Sequence, residues 1–358
     1  MPAEYPRRSF LRLACAAGAA PGMLSIAQQA PLAPQPVRPL DRRSTVALAG
    51  GESRRKNIHD ALTAIDDQIR PVLRRKKYIV IKPNIVSTTN QLAATHADAL
   101  RGILDYLAPR FRGPVIIAES SAGETWEGYE NFLYDRVVAE NHAQKVSLVD
   151  LNQEARYETI PLVDFDLHVV PARLAARLLD PDAFVICSAI LKTHNAVVAT
   201  LSVKNMVLGA PLHSAPKETP RWSDKRRYHA GVRQTHYNMM LTAQKLQPCW
   251  GAAVIDGWEG MEGNGPSSGT AVASRLAIAS TDFVAADRVG VEAMGINPSW
   301  LGYLTYCSQV GLGQYDLAKI DVRVEPLSAV RKSYRLHRDI ERELEWMGPM
   351  KELPPKLG

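Results

Sequence analysis

The polar residues of one short stretch, 190–211, have the types and spacing best suited to chemistry, because they interrupt an otherwise apolar run. Two lysines and two asparagines can bind an anion. A histidine can transfer a proton near neutral pH, since its reference pKa is about 6.5. The residues in question are Lys192, His194, Asn195, Lys204 and Asn205. We therefore predict an anion-binding site in which Lys192, His194 and Lys204 are the catalytic candidates and Asn195 and Asn205 bind ligand.

The elements around this stretch explain how its side chains could be held together. Residues 182–190 form an apolar, β-branched run that predicts a buried parallel strand. Open α/β sheets bind ligands at the carboxyl ends of their strands, and this is where Lys192 to Asn195 would emerge. Residues 200–208 predict a short helix that ends at Gly209 and Pro211.

A second group of candidates follows the predicted strand 78–86. Pro83 interrupts that strand because proline cannot donate to the ladder, so Lys82 and Asn84 would face the edge of the sheet. These two side chains are predicted to contact ligand. The alternative is a lysine that extends from a strand end toward water.

The first half of the chain alternates between strand and helix patterns, which indicates a mostly parallel, doubly wound α/β sheet with helices on both faces. The predicted strands are 45–49, 78–86, 114–118 and 145–151, and the helices between them are 58–69, 95–107 and 127–140. Thr95 is the expected cap of the second helix. Glu119, directly after the third strand, joins the ligand-binding candidates on the same edge. Gly50 and Gly51 fit either a plain turn or a phosphate-binding loop.

A glycine-rich acidic stretch, 256–266, follows a predicted strand at 252–255. Its carboxylates could hold a divalent metal or act as bases, and the candidates are Asp256, Glu259 and Glu262. Asn264 and Gly265 join the ligand-binding candidates, because glycine lets a backbone approach a ligand closely. A flexible acidic turn is the alternative interpretation.

The remaining segments are assigned by pattern. Residues 44–326 are predicted to form the α/β domain, as one body or two lobes, with a helix at 172–179 and a lid-like insertion at 212–230. The insertion carries His213 and His229, which we expect on the surface. Residues 327–358 are predicted to form a charged, exposed helix at 333–346 and a tail.

The beginning of the chain predicts export. Arg7 and Arg8 resemble a twin-arginine signal, a short apolar run follows, and residues 25–27 suit signal peptidase. Residues 1–27 would therefore be a signal peptide recognised by the twin-arginine machinery, and 28–43 a disordered proline-rich tether. We expect a periplasmic or secreted protein without a membrane span.

The charge and the cysteine content limit which partners and cofactors the protein is expected to bind. The net charge of +6 is small and its basic clusters lack interleaved aromatics, so no nucleic-acid partner is expected. After cleavage three cysteines remain, Cys187, Cys249 and Cys307, too few for a four-cysteine iron–sulfur site. In an oxidising compartment Cys249 and Cys307 could form a disulfide, and the sequence leaves this alternative undecided.

The same motifs, taken together, resemble those of one protein family, domain of unknown function 362 (DUF362). The resemblance covers residues 45–324, and it depends on Lys82-Pro83-Asn84, Lys192-Thr193-His194, residues 200–205 with Gly209, Asp256-Gly257, and residues 261–266. It implies a role near redox or cofactor chemistry for members that carry an appended ferredoxin-type iron–sulfur domain, and this sequence departs from those members because it lacks the cysteines. The family has no general activity assigned.

Two functions of different classes fit these observations. The first is an exported enzyme that acts on a small anionic substrate, with or without a divalent metal. The second is a non-catalytic module that holds a ligand or cofactor for a redox partner.

Overall fold

The fold is built on a ten-stranded sheet in the computed structural model, which describes residues 41–348. The strands are β1 (Ser44–Gly50), β2 (Tyr78–Lys82), β3 (Val115–Glu119), β4 (Val146–Asp150), β5 (Tyr157–Val163), β6 (Val169–Ala175), β7 (Ala183–His194), β8 (Val198–Thr200), β9 (Trp250–Glu262), β10 (Thr270–Val272), β11 (Leu276–Ser280) and β12 (Ile320–Val324). The main path runs β12-β1-β11-β9-β7-β2-β3-β4, with β8 paired to β7 and β10 to β9, while β5 and β6 form a separate hairpin.

Most strand pairs in this sheet are parallel. The pairs β9–β7, β7–β2, β2–β3 and β3–β4 are parallel, as is β1–β12, whereas β11 runs antiparallel to both of its neighbours. The predicted class, a mostly parallel α/β sheet, is confirmed. The parallel half places the ends of β2, β3, β7 and β9 on one edge, which is where a ligand site is expected in this kind of sheet.

Helices cover both faces of the sheet. They are α1 (Arg54–Thr63), α2 (Asp66–Leu73), α3 (Ala97–Leu107), α4 (Thr125–Asn131), α5 (Tyr134–Glu140), α6 (Leu151–Glu154), α7 (Ser202–Gly209), α8 (Val232–Leu246), α9 (Phe283–Ala293), α10 (Gly302–Gln309), α11 (Leu327–Val330) and α12 (Ile340–Glu343).

Alternation along the buried strands divides the core in two. On β2, Val80 belongs to the cluster that includes α7, α8 and α9, while Ile79 and Ile81 belong to the cluster that includes α1, α3 and α5. Successive strand side chains point to opposite faces, so every central strand contributes to both clusters. Burial on both faces explains why these strands are continuously apolar in sequence.

Several predicted helices have different bounds because their backbone leaves the helical region. The run 58–69 is divided between α1 and α2 at Ile65, where φ is −119° and ψ is 20°. The run 127–140 is divided between α4 and α5 at Leu133, whose φ is 61°. His96, not Thr95, caps α3, since its side chain accepts from the Asp98 amide.

Other predictions of secondary structure were wrong. Residues 172–179 lie partly in β6 and partly in a 3₁₀ turn, since β6 pairs with β5 along its whole length. In the C-terminal stretch 333–346, residues 333–339 are irregular and residues 340–346 lie in α12 and a following 3₁₀ turn, and the stretch buries Tyr334, His337 and Glu343 against the domain. That stretch is therefore part of the core and not an exposed helix.

The glycine pair after β1 forms a turn whose polar groups are satisfied by the protein. The Gly51 amide donates to the Arg275 carbonyl, and Asn57 Nδ2 donates to the Gly51 carbonyl at 2.8 Å. The plain-turn interpretation therefore fits better than a phosphate-binding loop.

Within residues 41–348, no helix is both long and apolar enough to cross a membrane. Cys187, Cys249 and Cys307 are buried free thiols, so the Cys249–Cys307 disulfide is not formed. The predicted signal peptide, most of the tether and the last ten residues lie outside the described residues.

Candidate functional site

A cavity of about 430 Å³ opens where β2, β3 and β7 end, beside α7. The sequence-predicted residues that line it are Lys82, Asn84, Glu119, His194, Asn195, Lys204 and Asn205. Segments distant in sequence thus converge because their strands are neighbours in the parallel half of the sheet.

A fully buried ion pair forms the floor of the cavity. Lys82 Nζ lies 2.9 Å from Glu119 Oε2, and it also donates to Asn205 Oδ1 at 2.9 Å and to the Pro83 carbonyl at 2.8 Å. The second carboxylate oxygen of Glu119 accepts from the Ser120 amide. Every proton of this ammonium has an acceptor, which is what a buried charge requires.

The network continues from the floor to Lys192. Asn84 donates through Nδ2 to Asn205 Oδ1 at 2.9 Å, and its Oδ1 accepts from Lys192 Nζ at 2.8 Å. Burial, followed by the charge of Lys204, lowers the pKa of Lys192 well below its ordinary value. Lys192 orients Asn84 from behind the cavity wall through this hydrogen bond.

Gly209 lets Lys82 reach this position. A β-carbon at Gly209 would lie 2.0 Å from Lys82 Nζ and 3.3 Å from Glu119 Oε1. A side chain at the end of α7 would displace the ammonium group, so this glycine has a second role besides the helix stop that sequence patterns identify.

Lys204 differs from the other buried lysines because its amine has no hydrogen-bond or ion-pair partner in the described part of the chain. The side chain is 6% exposed and lines the cavity. Burial, together with the charge of Lys82, lowers the pKa of Lys204 to about 7. Near neutral pH this amine is consequently present in both its charged and its neutral form.

His194 is held in one tautomer. Its Nδ1 accepts from the Ala196 amide at 3.1 Å, so any ring proton is on Nε2. Burial first, and then the charge of Lys204, lowers the pKa of His194 well below 6.5. His194 is therefore a neutral hydrogen-bond donor near pH 7.

Three basic cavity residues were not identified as site residues from the sequence. Lys225 and His229 come from the insertion 212–230, and Arg342 comes from α12. The insertion was recognised as functional by its length, but its basic residues looked like ordinary surface residues. His213 is half-buried, with Nε2 at 2.8 Å from the Ser121 carbonyl, so it is not the surface histidine we expected.

The positions of these added cations show how the insertion and the C-terminal stretch complete the cavity. Lys225 Nζ donates to the Leu208 carbonyl at 3.2 Å, and burial lowers its pKa to about 7. Arg342 contacts the Asn195 carbonyl at 3.4 Å. Both side chains bring basic groups to the cavity from elements outside the sheet.

A strained turn beside the cavity is fixed by the C-terminal stretch. Val198 has a φ of 69°, which is rare for a β-branched residue, and its amide donates to Glu343 Oε2 at 2.9 Å. Residue 343 thereby fixes the loop that carries His194 and Asn195.

The N-terminus of α7 is closed to ligands by a carboxylate of the protein. Asp287 accepts from the amides of Ser202 and Val203 at 2.8 and 3.0 Å. The first amides of α7 are thus already satisfied by the protein and are not open to a ligand.

The predicted metal ligands are not brought together. Asp256 is buried and lies 3.0 Å from Arg54 Nε, while Glu262 lies 3.4 Å from Arg335. Glu259 is exposed. All three belong to β9 and not to a loop, and no group of three or more His, Cys, Asp or Glu within residues 41–348 is arranged to hold a metal. The metal interpretation was therefore wrong for these carboxylates.

Asn264 and Gly265 lie next to the cavity but do not line it. Gly265 packs so closely on β7 that a β-carbon there would lie 2.0 Å from the Thr193 carbonyl. Asn264 Oδ1 accepts from the Arg338 amide. Pro266, the next residue, does reach the cavity wall.

Comparison with known families places this site within a recognised domain. The family model "Domain of unknown function (DUF362)" matches residues 79–292, more than half of the chain and most of the cavity residues. The chain belongs to the DUF362 family. Lys225 and His229 lie within the part matched to the DUF362 model, whereas Arg342 lies outside it.

One solved structure resembles this DUF362 chain at low identity. It is a crystal structure of a protein from Thermotoga maritima, 10% identical, with a TM-score of 0.40, and the match covers 73% of this chain and 60% of that one. The DUF362 chain thus spans less than two thirds of that protein. No curated protein matches the sequence significantly.

Proposed function

We propose that this DUF362 protein is an enzyme that binds a small anion in the cavity and uses the amine of Lys204 in the reaction. The observation that carries the proposal is the unpaired amine itself. A buried cation normally acquires partners, because an unpaired buried charge is costly. An amine without a partner in the described structure, at a cavity wall, is a common arrangement at functional sites.

The charge balance of the cavity supports an anionic ligand. Glu119 is the single carboxylate among the described lining residues, and it is already paired with Lys82. Lys204, Lys225 and Arg342 are left without a carboxylate in the cavity. A carboxylate or phosphate group would supply the missing negative charge, and charge-assisted hydrogen bonds to it are stronger than neutral ones.

A pKa close to neutral pH supports a catalytic role for Lys204 rather than binding alone. A group that donates or accepts a proton works best when its pKa is close to the working pH. Burial and the charge of Lys82 lower the pKa of Lys204 to about 7, and burial lowers the pKa values of Lys192 and His194 well below their ordinary values. Bound anion would stabilise the ammonium form and raise the pKa of Lys204.

Calorimetry with inorganic phosphate and with small mono-, di- and tricarboxylates tests the binding step. We expect at least one anion to bind wild type and to bind Lys204→Met at least tenfold more weakly. Lys245→Met, which changes an exposed lysine outside the cavity, is the matched control and should bind as wild type does. If no anion binds, or if Lys204→Met binds each anion normally, the proposal fails.

Native mass spectrometry of protein purified from its own source separates catalysis from binding alone. A co-purified ligand that changes in mass on incubation supports the enzyme. A ligand that is retained unchanged supports the non-catalytic module.

We also propose that the protein is exported through the twin-arginine pathway. Arg7 and Arg8, the apolar run after them and the small residues at 25–27 support this. Changing both arginines to lysine should retain the protein in the cytoplasm. Normal export of that variant would contradict the proposal.

A further inference from the structure

The four lysines around the cavity differ in how their amines are used. Lys82 donates to three acceptors, and Lys192 and Lys225 each donate to two. Lys204 donates to none of the described residues. Its amine is therefore the one that no acceptor among the described residues holds in place, so it can turn toward a ligand in the cavity.

The setting of this amine favours nucleophilic attack. A lysine becomes a nucleophile when it is desolvated or lies near another cation, since both disfavour the ammonium form. Lys204 meets both conditions, because it is 6% exposed and Lys82 lies close enough to lower its pKa. Lysine amines in such settings form imines with carbonyl compounds.

The rest of the cavity limits which carbonyl compound would fit. Lys225 and Arg342 supply positive charge without a carboxylate partner in the cavity, so an acidic group on the ligand would be held there. His194 presents its Nε2 proton as a neutral donor, suited to a carbonyl or hydroxyl oxygen. A volume of about 430 Å³ suits a small metabolite rather than a polymer.

We propose that Lys204 forms an imine with a small carbonyl compound that carries a carboxylate or phosphate group. This inference rests on the anion site proposed above and names its substrate class. The anionic group would bind the cavity cations and present the carbonyl carbon to Lys204 Nζ.

The step needs no oxidant, reductant or second reactant. The lone pair of the neutral amine attacks the carbonyl carbon, and the carbonyl π electrons move to oxygen. Two protons pass from nitrogen to that oxygen, the C–O bond breaks, and water leaves. The amine and the carbonyl compound thus become an imine and one water molecule, and the imine gains a proton when it acts as an electron sink.

Borohydride trapping tests this inference on the purified full chain. The protein is incubated with pyruvate, 2-oxoglutarate or glyceraldehyde 3-phosphate and then reduced, and the intact mass and the modified peptide are measured. We expect a stable secondary amine on Lys204 with at least one compound. The adduct should be absent from Lys204→Met and present in the control Lys245→Met.

Calorimetry with the same compounds separates this inference from the proposed function. Lys204→Arg keeps the positive charge and should still bind the anion while losing the adduct. Binding of these compounds without any trapped adduct in wild type would overturn the imine and leave the anion site standing. An adduct at other lysines that persists in Lys204→Met would also overturn it, and absence of all anion binding would overturn both proposals.

Discussion

Two buried titratable groups, Asp256 and Lys204, lie near the same edge of the sheet on opposite faces. They differ in whether the described part of the protein supplies a partner of opposite charge. On the face covered by α1, Asp256 lies 3.0 Å from Arg54, and the guanidinium groups of Arg54 and Arg275 lie 4.8 and 3.6 Å from the centre of the Trp258 ring. On the face covered by α7, Lys204 lines a cavity without such a partner. Both residues follow apolar stretches, so sequence pattern alone treats them alike.

The difference teaches that burial of a charge does not by itself indicate a site. In a buried ion pair each charge compensates the other, and removing one partner leaves the other charge buried without compensation. A buried charge with no described partner is open to a ligand. Substitution of the paired group should therefore change mainly the stability of the protein. Substitution of the unpaired group should change mainly ligand binding, and this contrast can be tested.

The largest expected effect is the loss of stability when Arg54, the partner of Asp256, is substituted. Arg54→Met leaves the Asp256 carboxylate buried without its cation, so the free energy of unfolding should fall by about 3 to 5 kcal/mol. Anion binding in the cavity should be unchanged in the remaining folded protein. Chemical denaturation measures the first quantity, and calorimetry the second.

The neighbouring residue gives a matched control. Arg55 pairs with Asp105 in a half-exposed ion pair, so Arg55→Met should cost less than about 1 kcal/mol. If Arg54→Met were as mild as Arg55→Met, the Asp256 pair would not be structural.

The second effect is expected at Lys204, where substitution should raise the stability instead of lowering it. Lys204→Met removes a buried charge that has no protein partner, and such replacements are often stabilising, here by about 1 to 4 kcal/mol at low pH. The pKa of Lys204 is lowered from 10.5 to about 7, so between these values the unfolded state binds more protons than the native state.

Wild-type stability should therefore rise relative to the variant as pH increases through this window. The advantage of Lys204→Met should be complete below about pH 7 and should disappear by about 10.5. Denaturation of both proteins across that range measures it. A constant difference at every pH would mean that Lys204 is not destabilised by its surroundings.

The third prediction concerns the floor of the cavity. Gly209→Ala would place a β-carbon 2.0 Å from Lys82 Nζ, which must then leave some of its acceptors. We expect a loss of about 1 to 3 kcal/mol and weaker anion binding. Gly50→Ala, whose nearest neighbours would lie at 3.7 Å, is the control. Equal effects of the two substitutions would contradict the close approach.

The smallest effect at a single pH, near pH 4.5, is expected at Glu343, a third kind of buried titratable group. Burial raises its pKa to about 8, so the native carboxyl keeps its proton while the unfolded one loses it above its ordinary 4.5. Glu343→Gln keeps the acceptor for the Val198 amide, and its stability should match wild type within about 1 kcal/mol near pH 4.5.

As pH rises from 4.5 to about 8, wild type should lose stability relative to Glu343→Gln. Thermal denaturation of the pair at several pH values measures this loss. Parallel curves would show that the carboxyl is charged in the native state throughout.

The sequence predicted the parallel half of the fold well because its signals are local. Apolar runs alternate with helical spacing, and polar residues such as Lys82, Glu119 and Lys192 stand where the strands end. The parallel arrangement then brings them to one edge. The helix breaks at Ile65 and Leu133 were not predictable, since no proline or glycine stands at either position.

The sequence could not separate paired from unpaired charges because pairing depends on distant segments. The partner of Asp256 comes from α1, about 200 residues earlier in the chain. Arg342 reaches the cavity from a C-terminal stretch whose charge pattern looked solvent-exposed. Lys225 lies in an insertion with no periodicity, so nothing local indicated where its side chain would lie.

The most direct test of the central claim is the titration of the Lys204 amine by NMR. The signal would be observed in lysine-labelled protein and assigned by its absence from Lys204→Met. We predict a pKa of about 7 that rises when phosphate binds. A pKa near the ordinary 10.5, unmoved by phosphate, would contradict the account.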